Sequence, residues 1–257
     1  MRFNPVLISC FLFASAVLAN PRRPQQRDLP ERSSDPPAVV DSDTWGGAIW
    51  ILEPGTFNHV HAIFEVPNVA SENGLDSYVD VLVVIDGYNC PNDAMFGLGL
   101  QLFAPHGGST NIEAVILNST TSVNPETLDI PISVGDVIQL DIIAYNATSG
   151  HVSIDNFNNH VHVEQNVQLS QPLCGQTAGW IVSDVGAVGS FSTLANYGTV
   201  IFTGASAGTR GGTYYQPYGA TLLRNQGKFE SGAGDSKMGS TIAYSDSPLW
   251  ITYLYYK

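Results

Sequence analysis

From residue 59 onward the chain keeps returning to one kind of segment, five to ten residues rich in β-branched and aromatic side chains. These are HVHAIFEV, DVLVVID, EAVIL, DVIQLDIIAY, HVSIDNF, VHVEQNVQL, GWIVSD, GTVIFTG and WITYLYY. Some alternate apolar with polar, as half-buried strands do, and others are continuously apolar. Clusters of Gly, Asn, Asp, Ser or Pro separate most of them, and no stretch carries the 3.6-residue period of an amphipathic helix. Short strands at this spacing predict an all-β sandwich, and all-β folds of this length are commonly one domain. Gly135-Asp136 predicts a tight hairpin turn feeding the strand DVIQLDIIAY. GASAGTRGG, residues 204–212, predicts a loop, because clustered glycines carry a high entropic cost on ordering.

The first forty residues do not share this pattern. Residues 1–19, MRFNPVLISCFLFASAVLA, set Arg2 before an apolar run and end on a small residue, which predicts a secretory signal peptide too short to span a bilayer. Residues 20–40 are rich in Pro, Arg, Ser and Gln, and read as a disordered leader or propeptide in which Arg22-Arg23 is a dibasic processing candidate. That leaves 41–257 as the folded domain. It holds five basic residues against twenty acidic ones, a net charge of −15. Such a surface repels phosphate backbones and anionic lipid, so neither nucleic acid nor membrane is an expected partner. Cys10 leaves with the signal peptide, and Cys90 and Cys174 remain as one pair expected to form a disulfide in an oxidising compartment. Asn118-Ser119-Thr120 and Asn146-Ala147-Thr148 are N-glycosylation sequons. The chain is expected to be a secreted, extracellular monomer.

One residue is out of character for its surroundings. In CGQTAGWIVSD, residues 174–184, Gly179 sits just inside a segment that otherwise reads as a buried strand. Glycine weakens a strand interior, so it marks a bulge, a close approach or a side chain that has been lost.

Several anchors in fixed order bear on that choice: WGGAI at 45–49, VIDGYNC at 84–90, ISVGDVIQL at 132–140, LCGQTAGWIVSD at 173–184 and NYGTVIFTGASA at 196–207. Together they resemble the secreted glutamic peptidases of fungi, the eqolisin family, over nearly the whole mature domain. The resemblance implies a concanavalin-like sandwich of two antiparallel sheets, a Cys90–Cys174 bridge, no cofactor, and a cleft across one concave sheet that holds peptide. It also implies a glutamate as general base and a glutamine whose amide stabilises the oxyanion, roles that need a carboxylate and an N–H donor.

Counting five residues from Cys174, as the family's glutamate is spaced, lands on Gly179 between Ala178 and Trp180. The family's Ala-Ile-Leu-Gln-Thr-Gly matches Ala94 to Gly99 with one residue inserted after Cys90, which puts Gly97 at the glutamine position. A shifted match offers Gln101 instead, on the same strand face as Gly97 and roughly 13 Å further along. Leu82 stands where the family has tryptophan. Asp86 and Asp184 are retained, and Glu113 falls where the family has a substrate-side glutamate. The expectation is therefore an eqolisin-fold pseudopeptidase that binds peptide or glycan in its cleft. The alternatives are an acid endopeptidase built from Asp86, Gln101, Glu113 or Asp184, and a metal-binding or lectin-like protein. Metal candidates are two His-x-His pairs on expected strands, His59/His61 and His160/His162, each with both imidazoles on one face.

Overall fold

The computed structural model describes residues 37–42, 44–71, 74–91, 94–119, 125–183, 193–225, 239–244 and 248–255. Its strands are β1 (Val39–Ser42), β2 (Trp45–Ile51), β3 (Phe57–Glu65), β4 (Ser77–Asp86), β5 (Met95–Ala104), β6 (Asn111–Leu117), β7 (Glu126–Leu128), β8 (Val137–Ala144) and β9 (Ser149–Asn156). They continue as β10 (Val161–Gln168), β11 (Thr177–Ser183), β12 (Thr193–Leu194), β13 (Thr199–Thr209), β14 (Tyr214–Tyr215), β15 (Thr221–Asn225), β16 (Gly239–Tyr244) and β17 (Leu249–Tyr255). The first sheet runs β1-β15-β2-β11-β4-β5-β6-β7 with β12 beside β4, and the second runs β10-β9-β8-β3-β13-β17-β16 with β14 beside β13. Pairing is antiparallel except for β1 with β15 and β12 with β4. The all-β sandwich expected from the strand spacing is the fold observed.

Alternation decides which residues form the core between the sheets. On β8 and β9 every second residue is buried, giving Ile138, Leu140, Ile142, Ala144, Val152 and Ile154. They meet Val81, Val83, Ile85, Phe96, Leu98, Leu100 and Trp180 of the first sheet in one cluster. Trp180 is fully buried and donates its indole N–H to the carbonyl of His61 across the sandwich at 2.9 Å, which satisfies its one polar atom. Strands β4 and β11 are buried on both faces, which is why DVLVVID and GWIV are continuously apolar. Their outward side chains join a second cluster of Trp45, Ile49, Leu82, Val84, Met95, Val115, Ile181 and Leu223.

Three expectations need correction here. The expected leader runs to residue 40, but Val39 and Val40 already belong to β1, where the parallel ladder with Leu222 and Leu223 orders them. Gly135 does turn, with φ 86°, yet the residues before it form no strand, so the turn is not a hairpin. Pro131 in that segment has no N–H to give a ladder. Residues 204–209 are strand, not loop. Gly204, at φ 59°, makes a β-bulge between Thr203 and Ser206, after which β13 resumes pairing with β3. The pairing offsets the entropic cost of ordering the glycines, which composition alone did not reveal.

Candidate functional site

Register places the two glycines of interest in one row. Gly179 of β11 pairs with Val84 of β4, and Val84 pairs in turn with Gly97 of β5. Directly opposed residues share a sheet face, so positions 97 and 179 face the same side, two strand spacings or about 9.6 Å apart. This face is the outer one, occupied by the second apolar cluster.

The backbone explains some glycines on this face and leaves others unexplained. A Cβ on Gly99 would stand 2.1 Å from the carbonyl oxygen of Val81, and one on Gly47 would stand 2.2 Å from that of Trp180, so both positions exclude a side chain. A Cβ on Gly97 would meet nothing closer than 3.4 Å. At Gly179 the nearest atom is Ile49 Cγ2 at 2.7 Å, the end of a neighbouring side chain, followed by the Ala48 carbonyl at 3.2 Å. No bulge occurs at Gly179, because its ladders with β2 and β4 run unbroken. Neither glycine is required by φ, and at 179 the space beside the backbone has been taken up by Ile49 and Val84. Trp45 adds to the filling: from β2 its ring reaches past β11 to Tyr88, with centroids 6.4 Å apart, and it occupies the space beside Gly87, as Met95 also does.

Two pleats along, the same face carries a polar row. Ser183 of β11 opposes Asp80 of β4, Asp80 opposes Gln101 of β5, and Gln101 opposes Glu113 of β6. The Gln101 amide donates to Asp80 Oδ1 at 3.2 Å. Gln101 thus shares a face with Gly97 without replacing it, while Glu113 lies at the exposed end of the row. Asp80 escaped the sequence reading, although its place four residues before Val84 puts it on that face by simple alternation.

The retained Asp86 serves the scaffold. It is fully buried at φ 63°, and its carboxylate accepts the N–H groups of Gly175 at 2.7 Å, Gln176 at 3.0 Å and Thr177 at 3.3 Å. Burial raises its pKa above the ordinary 3.8, against the pull of these donors. It thereby fixes the chain that follows Cys174. Cys90 and Cys174 are bridged, with Cα atoms 5.9 Å apart. Asp86, Cys90 and Cys174 cluster closely enough to suggest a metal site, but the disulfide consumes both sulfurs. Asp184 lies outside the described residues.

The two His-x-His pairs behave differently from one another. His59 and His61 do share a face, and both reach Asp141 of β8, with His59 Nε2 2.8 Å and His61 Nδ1 3.3 Å from the same oxygen. Burial pushes the Asp141 carboxyl up, but the hydrogen bonds and charges of His59 and His61 outweigh it and hold the group well below the usual carboxylate range. The second pair does not share a strand face as expected: His160 sits at φ 60° in the turn between β9 and β10, so strand alternation does not apply to it. His162 instead pairs with Asp155 at 2.7 Å, and Asp155 raises its pKa. The pairs do not meet, because β8 and β9 intervene between β3 and β10. Of the sequons, Asn146 is exposed in the β8–β9 turn, where its side-chain oxygen accepts the Thr148 N–H at 2.8 Å. Asn118 is half-buried after β6.

Comparison with known proteins agrees with this architecture. The family model described as the Peptidase A4 family matches residues 43–244. Aspergillopepsin-2 of Aspergillus niger is 28% identical, the match covering 87% of this chain and 92% of that protein. Among solved structures, scytalido-glutamic peptidase with a transition state analog inhibitor superposes with a TM-score of 0.66 at 22% identity, covering 83% of this chain and 99% of that one. SCP-B, a member of the eqolisin family in complex with the tripeptide Ala-Ile-His, gives 0.64 at 23% identity over the same shares. This chain belongs to the Peptidase A4, or eqolisin, family of glutamic peptidases.

Proposed function

We propose that this member of the family is a secreted, non-proteolytic pseudopeptidase whose cleft face binds peptide or glycan without cutting it. One observation carries the reading: the row Gly179–Val84–Gly97 has neither carboxylate nor amide at the two positions assigned to the dyad, and Ile49 stands within 2.7 Å of where a side chain at 179 would begin. A general base commonly contributes about 10²–10⁴-fold and an oxyanion donor about 10²–10³-fold. Among the described residues, the row itself offers no carboxylate to take a proton from water. SCP-B is described with a bound tripeptide, and extended peptide is the ligand class favoured here. Secretion is consistent with the disulfide and with the leader sequence.

Incubating the purified mature protein with denatured substrate proteins at acid pH tests the reading, and no cleavage above a heat-inactivated control is expected. One observation supports a second reading. Asp80 and Gln101 form a carboxylate–amide pair on the same face, the residue types an acid hydrolase uses. Cleavage that survives purification and disappears in Asp80→Asn would replace the first reading with this one.

A further inference from the structure

We propose that His59, His61 and Asp141 form a binding site for a divalent transition-metal ion of the zinc class, on the outer face of the second sheet. This site is on the other sheet from the cleft and does not depend on how the cleft is read. Neighbouring antiparallel strands supply its donors. His59 and His61 are two apart on β3 and face the same way, and Asp141 of β8 is the direct cross-strand partner of His61. One carboxylate oxygen of Asp141 lies between the two imidazoles, 2.8 Å from His59 Nε2 and 3.3 Å from His61 Nδ1. Each of the three side chains is about one-fifth exposed, so the donors are partly dehydrated yet open to an ion from solvent.

The adjoining strand leaves room for the rings. A Cβ on Gly208 of β13 would stand 3.2 Å from His59 Nδ1, and one on Gly204 would stand 3.8 Å from His61 Nε2. Tyr214 closes the far side, edge-on to His59 with centroids 6.2 Å apart. Two imidazoles and one carboxylate are the donor set that zinc accepts in sites with an open fourth position, at bond lengths of about 2.0–2.2 Å. The three donor atoms are not all within 4.8 Å of one another. Loading therefore turns both imidazoles inward and moves the carboxylate oxygen from between them to the side of the ion. The histidine group on β9 and β10 is a weaker candidate: Glu164 is 63% exposed and stands 3.5–3.6 Å from His162 and His151, and Asp155 already holds His162 Nδ1.

Isothermal titration of the chelator-stripped mature protein with zinc chloride at neutral pH tests the site. One ion per chain is expected, with affinity falling roughly 10–100-fold in Asp141→Asn and further in the double variant His59→Ala/His61→Ala, while His162→Ala binds as wild type. Near-UV circular dichroism checks that each variant is folded, and His61→Gln substitutes for any that is not. No saturable binding, binding that survives the loss of both histidines, or an equal loss in His162→Ala would each overturn the proposal.

Discussion

Gly97 and Gly179 occupy one cross-strand row of the first sheet with only Val84 between them. A glutamine and a glutamate at these positions would face each other across a single strand, so on the proposed reading the row has the geometry of a catalytic pair without its atoms. Restoring the atoms alone is not expected to restore the chemistry. The double variant Gly97→Gln/Gly179→Glu drives a side chain into Ile49 Cγ2 and should lose about 1–3 kcal/mol by overpacking. Adding Ile49→Ala should recover the stability and allow measurable cleavage of denatured protein at acid pH. A folded triple variant with no such activity would mean that Trp45 or another part of the filling also blocks the cleft.

The same strand offers a sharper test of why glycine stands where it does. Gly99→Ala sets a Cβ against the Val81 carbonyl at 2.1 Å, whereas Gly97→Ala meets only ordinary contacts. The first substitution should cost upward of about 3 kcal/mol or abolish folding. The second should be neutral or stabilising by up to about 1 kcal/mol, because alanine limits the unfolded chain more than glycine does. Urea midpoints of the two variants check the contrast, and equal losses would show that Gly97 is needed for packing.

Strand alternation made the sandwich, the shared face of Gly97 and Gln101, and the position of His59 with His61 legible from sequence, because a period of two is local information. What it left out is information held by strand neighbours. Asp80 lies on the face of Gly97 and Gly179 by the same alternation, but its meaning depends on Gln101 arriving beside it from β5. Asp141 becomes a partner of His61 only through the β3–β8 register, 80 residues distant along the chain. His160 falls outside β10 because it is itself left-handed, at the end of the turn that precedes the strand, which alternation does not show. Asp86 looked like a candidate acid until its three backbone donors showed that it holds the loop after Cys174.

The disulfide and Asp86 secure the same loop by different means. Cys90–Cys174 closes a loop with a sequence separation of 84, and by the chain-entropy estimate it contributes on the order of 4 kcal/mol. Cys90→Ala/Cys174→Ala should therefore lower stability by about 2–5 kcal/mol, read from the guanidinium midpoint. A loss below about 1 kcal/mol would indicate that the Asp86 hydrogen bonds alone hold the loop.

Asn146 offers a further test, because acceptance of a glycan depends on exposure and turn geometry. Its sequon occupies an exposed turn, with Thr148 donating both its N–H and its hydroxyl to Asn146 Oδ1 at 2.8 and 3.2 Å. Expression through a eukaryotic secretory pathway should modify Asn146 more completely than the half-buried Asn118. Peptide mapping after glycosidase treatment in heavy-oxygen water reads the occupancy, and an unmodified Asn146 would defeat the expectation.

Acid stability separates Asp141 from Asp86, since their shifts have opposite signs. The histidines hold Asp141 below its ordinary value, so its contribution is fully present above about pH 4 and is lost as pH falls through the lower folded value. Burial holds Asp86 above the ordinary 3.8, so its protonation favours the fold on the acid side, and that benefit is lost as pH rises from 3.8 through the raised value. Unfolding free energies from urea titrations between pH 2 and pH 7 should show Asp141→Asn below wild type above about pH 4, by on the order of 1–3 kcal/mol, with the gap narrowing on acidification. A gap that stays constant across that range would mean that the carboxylate is not charged against His59 and His61 in the folded protein.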